Sequence, residues 1–260
     1  MTQPRGAGIT GASDSIMEVF YMDSRLQHII DNFDNMKLGA DDTFKFSCKQ
    51  CGKCCINRED ILLNAQDVYR LSKELRMKPL DMINEYGEVY VGSSSRVPIV
   101  RLRPRGSIRR CRFLKDRKCS VHQAKPTVCA MYPLGRAMVF KNAEGEQPDY
   151  MTGEIQFIIN NHDCGTDETH TVREWFADFG IELDDLFYRK WNQAITRLSS
   201  IIYRAEDKSP DSTVEMMWNL AYALLYLHYD TEQEFMQQFE ENAEELFNIL
   251  RLAPSEQGGK

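Results

Sequence analysis

The chain has no long apolar run. Its longest, Trp218 to Tyr229, is far short of the ~20 residues needed to cross a bilayer, so no membrane contact is expected. Residues 1 to 15 hold one Arg with no apolar stretch after it and so lack the shape of a secretory signal. No segment recurs at the period of a solenoid. With neither a span nor a signal, the expected compartment is cytoplasmic, where thiols stay reduced. The net charge of -7 argues against general nucleic-acid binding. The remaining composition, 42% hydrophobic and 27% charged over 260 residues, allows one well-packed soluble domain or a domain with a helical extension.

What the chain does have is clustered cysteine. Four of its eight fall within eight residues, Cys48, Cys51, Cys54 and Cys55, and the others are Cys111, Cys119, Cys129 and Cys164. In a reducing compartment such density reads as metal binding or catalysis rather than disulfides. In Cys-x2-Cys two thiolates one turn apart can point at one centre, and Gly52 lets the backbone curl around it. Cys48, Cys51 and Cys54 also match the first three ligands of bacterial ferredoxin spacing, with the fourth missing locally. Two four-ligand sites and one polynuclear site using most of the eight both fit, with zinc, iron or an iron–sulfur cluster as the group held. His122 and His162 are near enough to act as further ligands, although an ordinary surface or core role is simpler for both. His28 and His228 fall on helical faces and read as structural.

The patterning predicts a mainly α protein with a small irregular cysteine-rich α+β metal-binding unit and a helical bundle at the C-terminus. Ser15 and Glu18 have capping-box spacing, and one or two helices are expected between 15 and 37. Phe44 and Phe46 alternate with polar residues as in a short strand. Asn64 is placed to cap a helix running to about Met77, Pro79 to open the next and Gly87 to end it. Short strands are expected at 98–102, 137–140 and 155–159. Beyond Thr171 the expected helices are 172–179, 183–204, 213–229 and 232–250, with capping boxes at Thr171/Glu174, Ser212/Glu215 and Thr231/Glu234. The run from Trp218 is apolar nearly all round, as in a central buried helix. The expected organisation is a disordered tail over 1–14, a metal-binding domain over 15–190, a helical extension over 191–252 and a tail over 253–260.

Charge is lopsided. Residues 96–118 carry ten basic side chains against Asp116, a balance of +9, whereas 206–247 carry eleven acids against Lys208, a balance of −10. The basic stretch would stabilise an anionic thiolate cluster or an anionic substrate. The acidic helices either dock on it or face a basic protein partner.

Taken together, Cys48-x2-Cys51-Gly-x-Cys54-Cys55, Cys111-Arg-Phe-Leu, Cys119-Ser-Val-His122 and Lys125-Pro-x2-Cys129-x2-Tyr132-Pro resemble the YkgJ-type cysteine-cluster family, named CxxCxxCC for its zinc- or iron-chelating domain. Cys164-Gly and Thr171-Val-Arg-Glu-Trp175 are similar to the family's closing segment, so the resemblance spans roughly 44 to 190. Lys125 and Ala130 stand where the family usually has Arg. The resemblance implies a metal-binding protein. Flagellin lysine N-methylases carry a similar cysteine pattern, so it also implies an alternative, a cluster-dependent protein-modifying enzyme. In that case Tyr132 and Arg112, beside expected ligands, are the first residues to test. No Gly-rich loop after a strand and no Cys-x3-Cys-x2-Cys supports methyl transfer independently. The third alternative is a structural zinc module presenting its helical bundle to a protein.

Overall fold

A computed structural model describes residues 24–49, 51–56, 61–140, 148–160 and 164–252. The Ser15/Glu18 capping box, both expected tails and His162 lie outside these residues, as does the His28 side chain.

Local chemistry sets the helix ends in the first half. Strand β3 (Leu62–Leu63) leads into α2 (Ala65–Leu75), where Asn64 Oδ1 accepts from Asp67 N at 2.8 Å and Asn64 N donates to Asp67 Oδ2 at 3.3 Å. Each satisfies an amide that a helix start leaves without a partner. Pro79 opens α3 (Pro79–Tyr86) and Gly87 closes it, both as the sequence predicts. Gly87 also begins β4 (Gly87–Val91), which pairs antiparallel with β5 (Pro98–Leu102), and β5 pairs on its other edge with β3. Ahead of these lie α1 (Ser24–Met36), β1 (Lys37–Leu38) and β2 (Thr43–Lys45), the strand expected around Phe44.

The middle of the chain is built from very short pieces. β6 (Leu114–Lys115) and β7 (Lys118–Cys119) form a hairpin whose two turn residues, Asp116 and Arg117, both have positive φ, 47° and 66°. That is the hand of turn that matches strand twist. A single turn of 3₁₀ helix over His122–Ala124 precedes α4 (Thr127–Met131). β8 (Leu134–Val139) and β9 (Glu154–Ile159) pair antiparallel, with β1 on the far edge of β9. β10 (Thr169–Thr171) pairs with β2 and runs into α5 (Val172–Ala177) through the predicted Thr171/Glu174 capping box.

The C-terminal region is helical: α6 (Leu186–Glu206), α7 (Asp211–Tyr222) and α8 (Phe235–Leu252). Two of the expected capping boxes do not form. α7 starts at Asp211 behind Pro210, which gives no side-chain cap. α8 starts only at Phe235, because Asp230 draws the preceding residues into a turn: Glu232 N donates to its Oδ1 and Gln233 Nε2 to its Oδ2. The apolar run does not stay α-helical throughout. It passes into a π-helical segment, Ala223–Leu227, and His228 lies just past its end rather than on a helical face.

The architecture is therefore mixed α+β, with several small antiparallel sheets and a helical C-terminal region. Two apolar cores form. The larger joins α2, α3 and β5 to α6, α7, the π segment and α8, with Val68, Leu71, Leu198 and Leu246 fully shielded. Burying each such side chain contributes roughly 1.5–3 kcal/mol. The smaller gathers Phe44 and Phe46 from β2 and the residue after it, Leu134 and Phe157 from the β8–β9 pair, and Trp175 and Phe176 from α5. Part of the basic stretch is neutralised locally, Arg101 by Glu88 and Arg112 by Glu85, but Arg96 reaches Glu206 at the end of α6 through Nε at 3.0 and 2.9 Å. No helix among the described residues is long and apolar enough to cross a membrane.

Candidate metal centre

The cysteines lie at the seam of the two cores. Cys111, Cys119 and Cys129 pack against the larger, and Cys164 and Tyr132 against the smaller. Three backbone connections bring distant segments together. Cys111 N donates to Cys55 O at 2.8 Å, joining the two cysteine groups directly. Phe46 N donates to Glu168 O and Thr166 N to Ser47 O, which lays Cys164 beside the segment entering Cys48. The β6–β7 hairpin places Cys119, and α4 places Cys129.

Two glycines make the close approach feasible. Gly52, at φ 75°, opens the single 3₁₀ turn Lys53–Cys55 that presents Cys54 and Cys55. Gly165, at φ 109°, lies so near Phe46 that a Cβ there would come within 2.4 Å of its ring. No side chain fits at position 165 without displacing Phe46.

All eight cysteines line one cavity of ≈ 90 Å³. None is in a disulfide. Cys54 is the hub of the set: its Sγ is 3.9 Å from Cys55 Sγ, and it acts electrostatically on Cys111, Cys119 and Cys164. Cys55 in turn senses Cys111 and Cys129, and Cys164 hydrogen-bonds with Cys51 and with Tyr132. Among the described residues no three His, Cys, Asp or Glu side chains are gathered closely enough to hold a single ion. The sulfurs surround a space rather than converge on a point.

Four of the thiols, Cys55, Cys111, Cys119 and Cys164, resist ionisation. Contact with Cys54, and then burial, pushes the Cys55 thiol up. Burial is the main cause of the upward shift at Cys111, Cys119 and Cys164. A thiolate is the form that binds metal, so a cation entering this cavity displaces protons. Two dependences of opposite sign follow. The metal-free chain holds these protons more tightly folded than unfolded, so it is expected to lose stability as pH rises through the ordinary thiol value and beyond. Metal affinity is expected to rise with pH, by about tenfold per unit for each proton released. Urea titrations of stripped protein between about pH 7 and 11, spanning the ordinary thiol value of about 8.5, check the first sign, and competitive metal titrations between about pH 6 and 9 check the second.

Of the other expected residues, His122 lines the cavity, its basicity lowered by burial and then by Lys125. Tyr132 lines it too, with its ring edge-on to Phe46. Arg112 does not. Its Nη1 donates to Glu85 O at 2.8 Å, because α3 offers a carbonyl and a carboxylate on the side away from the sulfurs. The cations that do reach the wall are Lys49, Arg117 and Lys125. Lys125 is steadied over the Phe179 ring at 4.2 Å. Lys125 is the residue that stands in place of the expected Arg before Pro126, and Arg117 is one of the ten cations of the basic stretch, though nothing local singles it out from the other nine.

The smaller residue at 130, where a family Arg is expected, is explained by its place: Ala130 is buried in the smaller core, with no room for a guanidinium. No curated protein and no solved structure matches the chain. A family model does match, over residues 47–165, and its description is CxxCxxCC, "putative zinc- or iron-chelating domain". The match begins at the residue before Cys48 and ends at the one after Cys164, so it takes in the whole cavity wall of cysteines and leaves Thr171–Trp175 outside. Residues 47–165 are thus similar to the CxxCxxCC domain through the same cysteines that line the cavity.

Proposed function

We propose that the chain is a metal-binding protein whose cysteine cavity holds a polynuclear zinc or iron centre, with Cys48, Cys51, Cys54, Cys55, Cys111, Cys119, Cys129 and Cys164 as its ligand set and His122 as a further donor. One observation carries the reading: eight thiols from four separate stretches of chain face one small space. A closed structural zinc site takes four ligands, and this wall offers twice that number, which weighs against a single zinc staple. Soft thiolates suit Cu(I), zinc and iron–sulfur chemistry, and the description of the matching family model favours zinc or iron among them. When bound, such a centre supplies either electrostatic cross-linking of the seam or, for iron, electron transfer and an open coordination position.

A second reading, a cluster-dependent protein-modifying enzyme such as a lysine N-methyltransferase, is favoured by the polar groups on the same wall. Lys49, His122 and Tyr132 line the cavity beside the sulfurs, and a substrate admitted there would face them.

Protein purified without air should contain at least two metal atoms per chain. Iron with matching acid-labile sulfide and a broad absorption near ~400 nm identifies a cluster, and colourless protein with zinc identifies a polynuclear zinc site. Cys51→Ser and Cys129→Ser, from separate stretches of the chain, should each lower the metal content. Full metal content in both variants, or a single ion per wild-type chain, would sink the proposal.

A further inference from the structure

Behind α4, on the side away from the sulfurs, lies a second cavity of ≈ 330 Å³. Val128 borders both spaces, so one short helix divides them. The size falls at the lower end for small-molecule sites, roughly 300–1,000 Å³. Its walls come from β5, α4, α6 and the π-helical segment. Side chains that shape it include Val97, Ile99, Tyr188, Trp191, Ile195 and Tyr226.

Three features point to a ligand and to its chemistry. The first is the aromatic lining. Trp191 and Tyr226 meet edge to face at 5.6 Å, and Tyr188 stands nearby under the Arg136 guanidinium. Such rings favour a flat partner through offset or edge contacts. The second is the charge. Two charged residues reach this wall and both are already matched: Arg136, only 4% exposed, donates to Asp185 at 2.8 Å, and Asp67 accepts from Thr127 and Arg70. A charged ligand would lose its hydration and find no unmatched counter-charge here. The third is the backbone that delivers Tyr226: a π-helical segment, Ala223–Leu227, a rare conformation found frequently at functional sites.

We infer that this cavity is a binding site for a small, neutral, flat ring compound, set one helix away from the cysteine centre. The inference does not rest on which metal that centre holds.

The probe is 2-naphthol, titrated calorimetrically into the full chain with its metal in place. Saturable binding of one molecule per chain is expected, with 2-naphthoate, the same ring system carrying a carboxylate, at least about tenfold weaker by the desolvation argument. Ile195→Phe and Ile99→Phe fill the space from opposite walls, and each should weaken 2-naphthol at least about tenfold while metal content stays unchanged. Absence of saturable 2-naphthol binding would overturn the proposal, as would 2-naphthoate binding equally well. Undiminished binding in both filled variants would do so too, by placing the ligand elsewhere. The comparison of the two probes on the unaltered chain stands even where a filled variant folds poorly.

Discussion

Asp67→Ala is expected to lower the unfolding free energy by about 3–5 kcal/mol, the usual cost of removing one partner from a buried charged network. Asp67 is 1% exposed. Its Oδ1 accepts from Thr127 N at 2.8 Å, Thr127 Oγ1 at 2.7 Å and Arg70 Nη2 at 2.8 Å, while its Oδ2 accepts from Asn64 N. Alanine would leave an amide and a hydroxyl buried without their acceptor and the Arg70 charge without its carboxylate. Arg70 would keep only neutral acceptors, the Thr127 hydroxyl at 3.0 Å and the Lys125 carbonyl. The effect reaches the candidate centre. Thr127 is the first residue of α4, two before Cys129, and Arg70 Nη2 also donates to Lys125 O at 3.3 Å. Asp67 therefore helps to fix both Cys129 and Lys125 on the cavity wall from the start of α2. Urea midpoints should fall with an unchanged m-value, and metal content should fall in parallel. A loss below about 1 kcal/mol would mean that water replaces the carboxylate, and that α4 is held by its apolar face alone. Asp67→Asn keeps the shape and one acceptor, and should cost clearly less.

Asp67 also shows what the sequence makes legible. Asn64 and Thr171 accept from amides three residues on, Pro79 opens α3 through its fixed φ, and Gly87 N–H returns to Ile83 O, so all four roles are read from local spacing. The cysteine pattern is equally local in its first half, where Gly52 and the Cys-x2-Cys spacing imply a turn that presents sulfurs. Failures arise where a nearer or a more distant group intervenes. Thr231/Glu234 has capping-box spacing, but Asp230 binds the following residues first and delays α8. The apolar run after Trp218 is uniform in hydropathy, which cannot register the change to π-helical pairing. β4 alternates in Glu88-Val-Tyr-Val91, yet Gly87 reads first as the end of a helix. Arg112 adjoins Cys111 in sequence, and still the backbone of α3 turns it away from the sulfurs. Arg117 reaches the cavity only because Asp116 and Arg117 both take positive φ, a conformation uncommon for such residues. That eight cysteines meet in one space, rather than two, depends on the Cys111–Cys55 backbone contact across more than fifty residues. Spacing leaves both arrangements open because no local rule sets that distance.

Stripping the metal is expected to expose one part of the chain before the rest. Residues 103–132 have little regular structure of their own: two two-residue strands, one 3₁₀ turn and the short α4. They are joined to the other cysteine segment by few backbone bonds, and a metal held by Cys111, Cys119 and Cys129 would add three further attachments. The helices α6 and α8 share an apolar core, with Phe187, Leu198, Phe239 and Leu246 buried in it, and do not depend on sulfur. Stability is then distributed unevenly, and the least stable unit opens first. Trypsin reports this opening directly, because ten Lys and Arg residues lie between 96 and 118. A ligand present at a hundred times its Kd stabilises by about 2.7 kcal/mol, roughly a hundredfold in the population of open chain. Chelated protein should therefore be cut within 103–118 up to roughly a hundredfold faster than loaded protein, while circular dichroism retains most of its helical signal. Readdition of zinc or iron should restore protection. Equal cleavage rates with and without metal, or first cuts inside α6 or α8, would mean that the cavity closes on protonated thiols unaided and that metal adds function without adding structure.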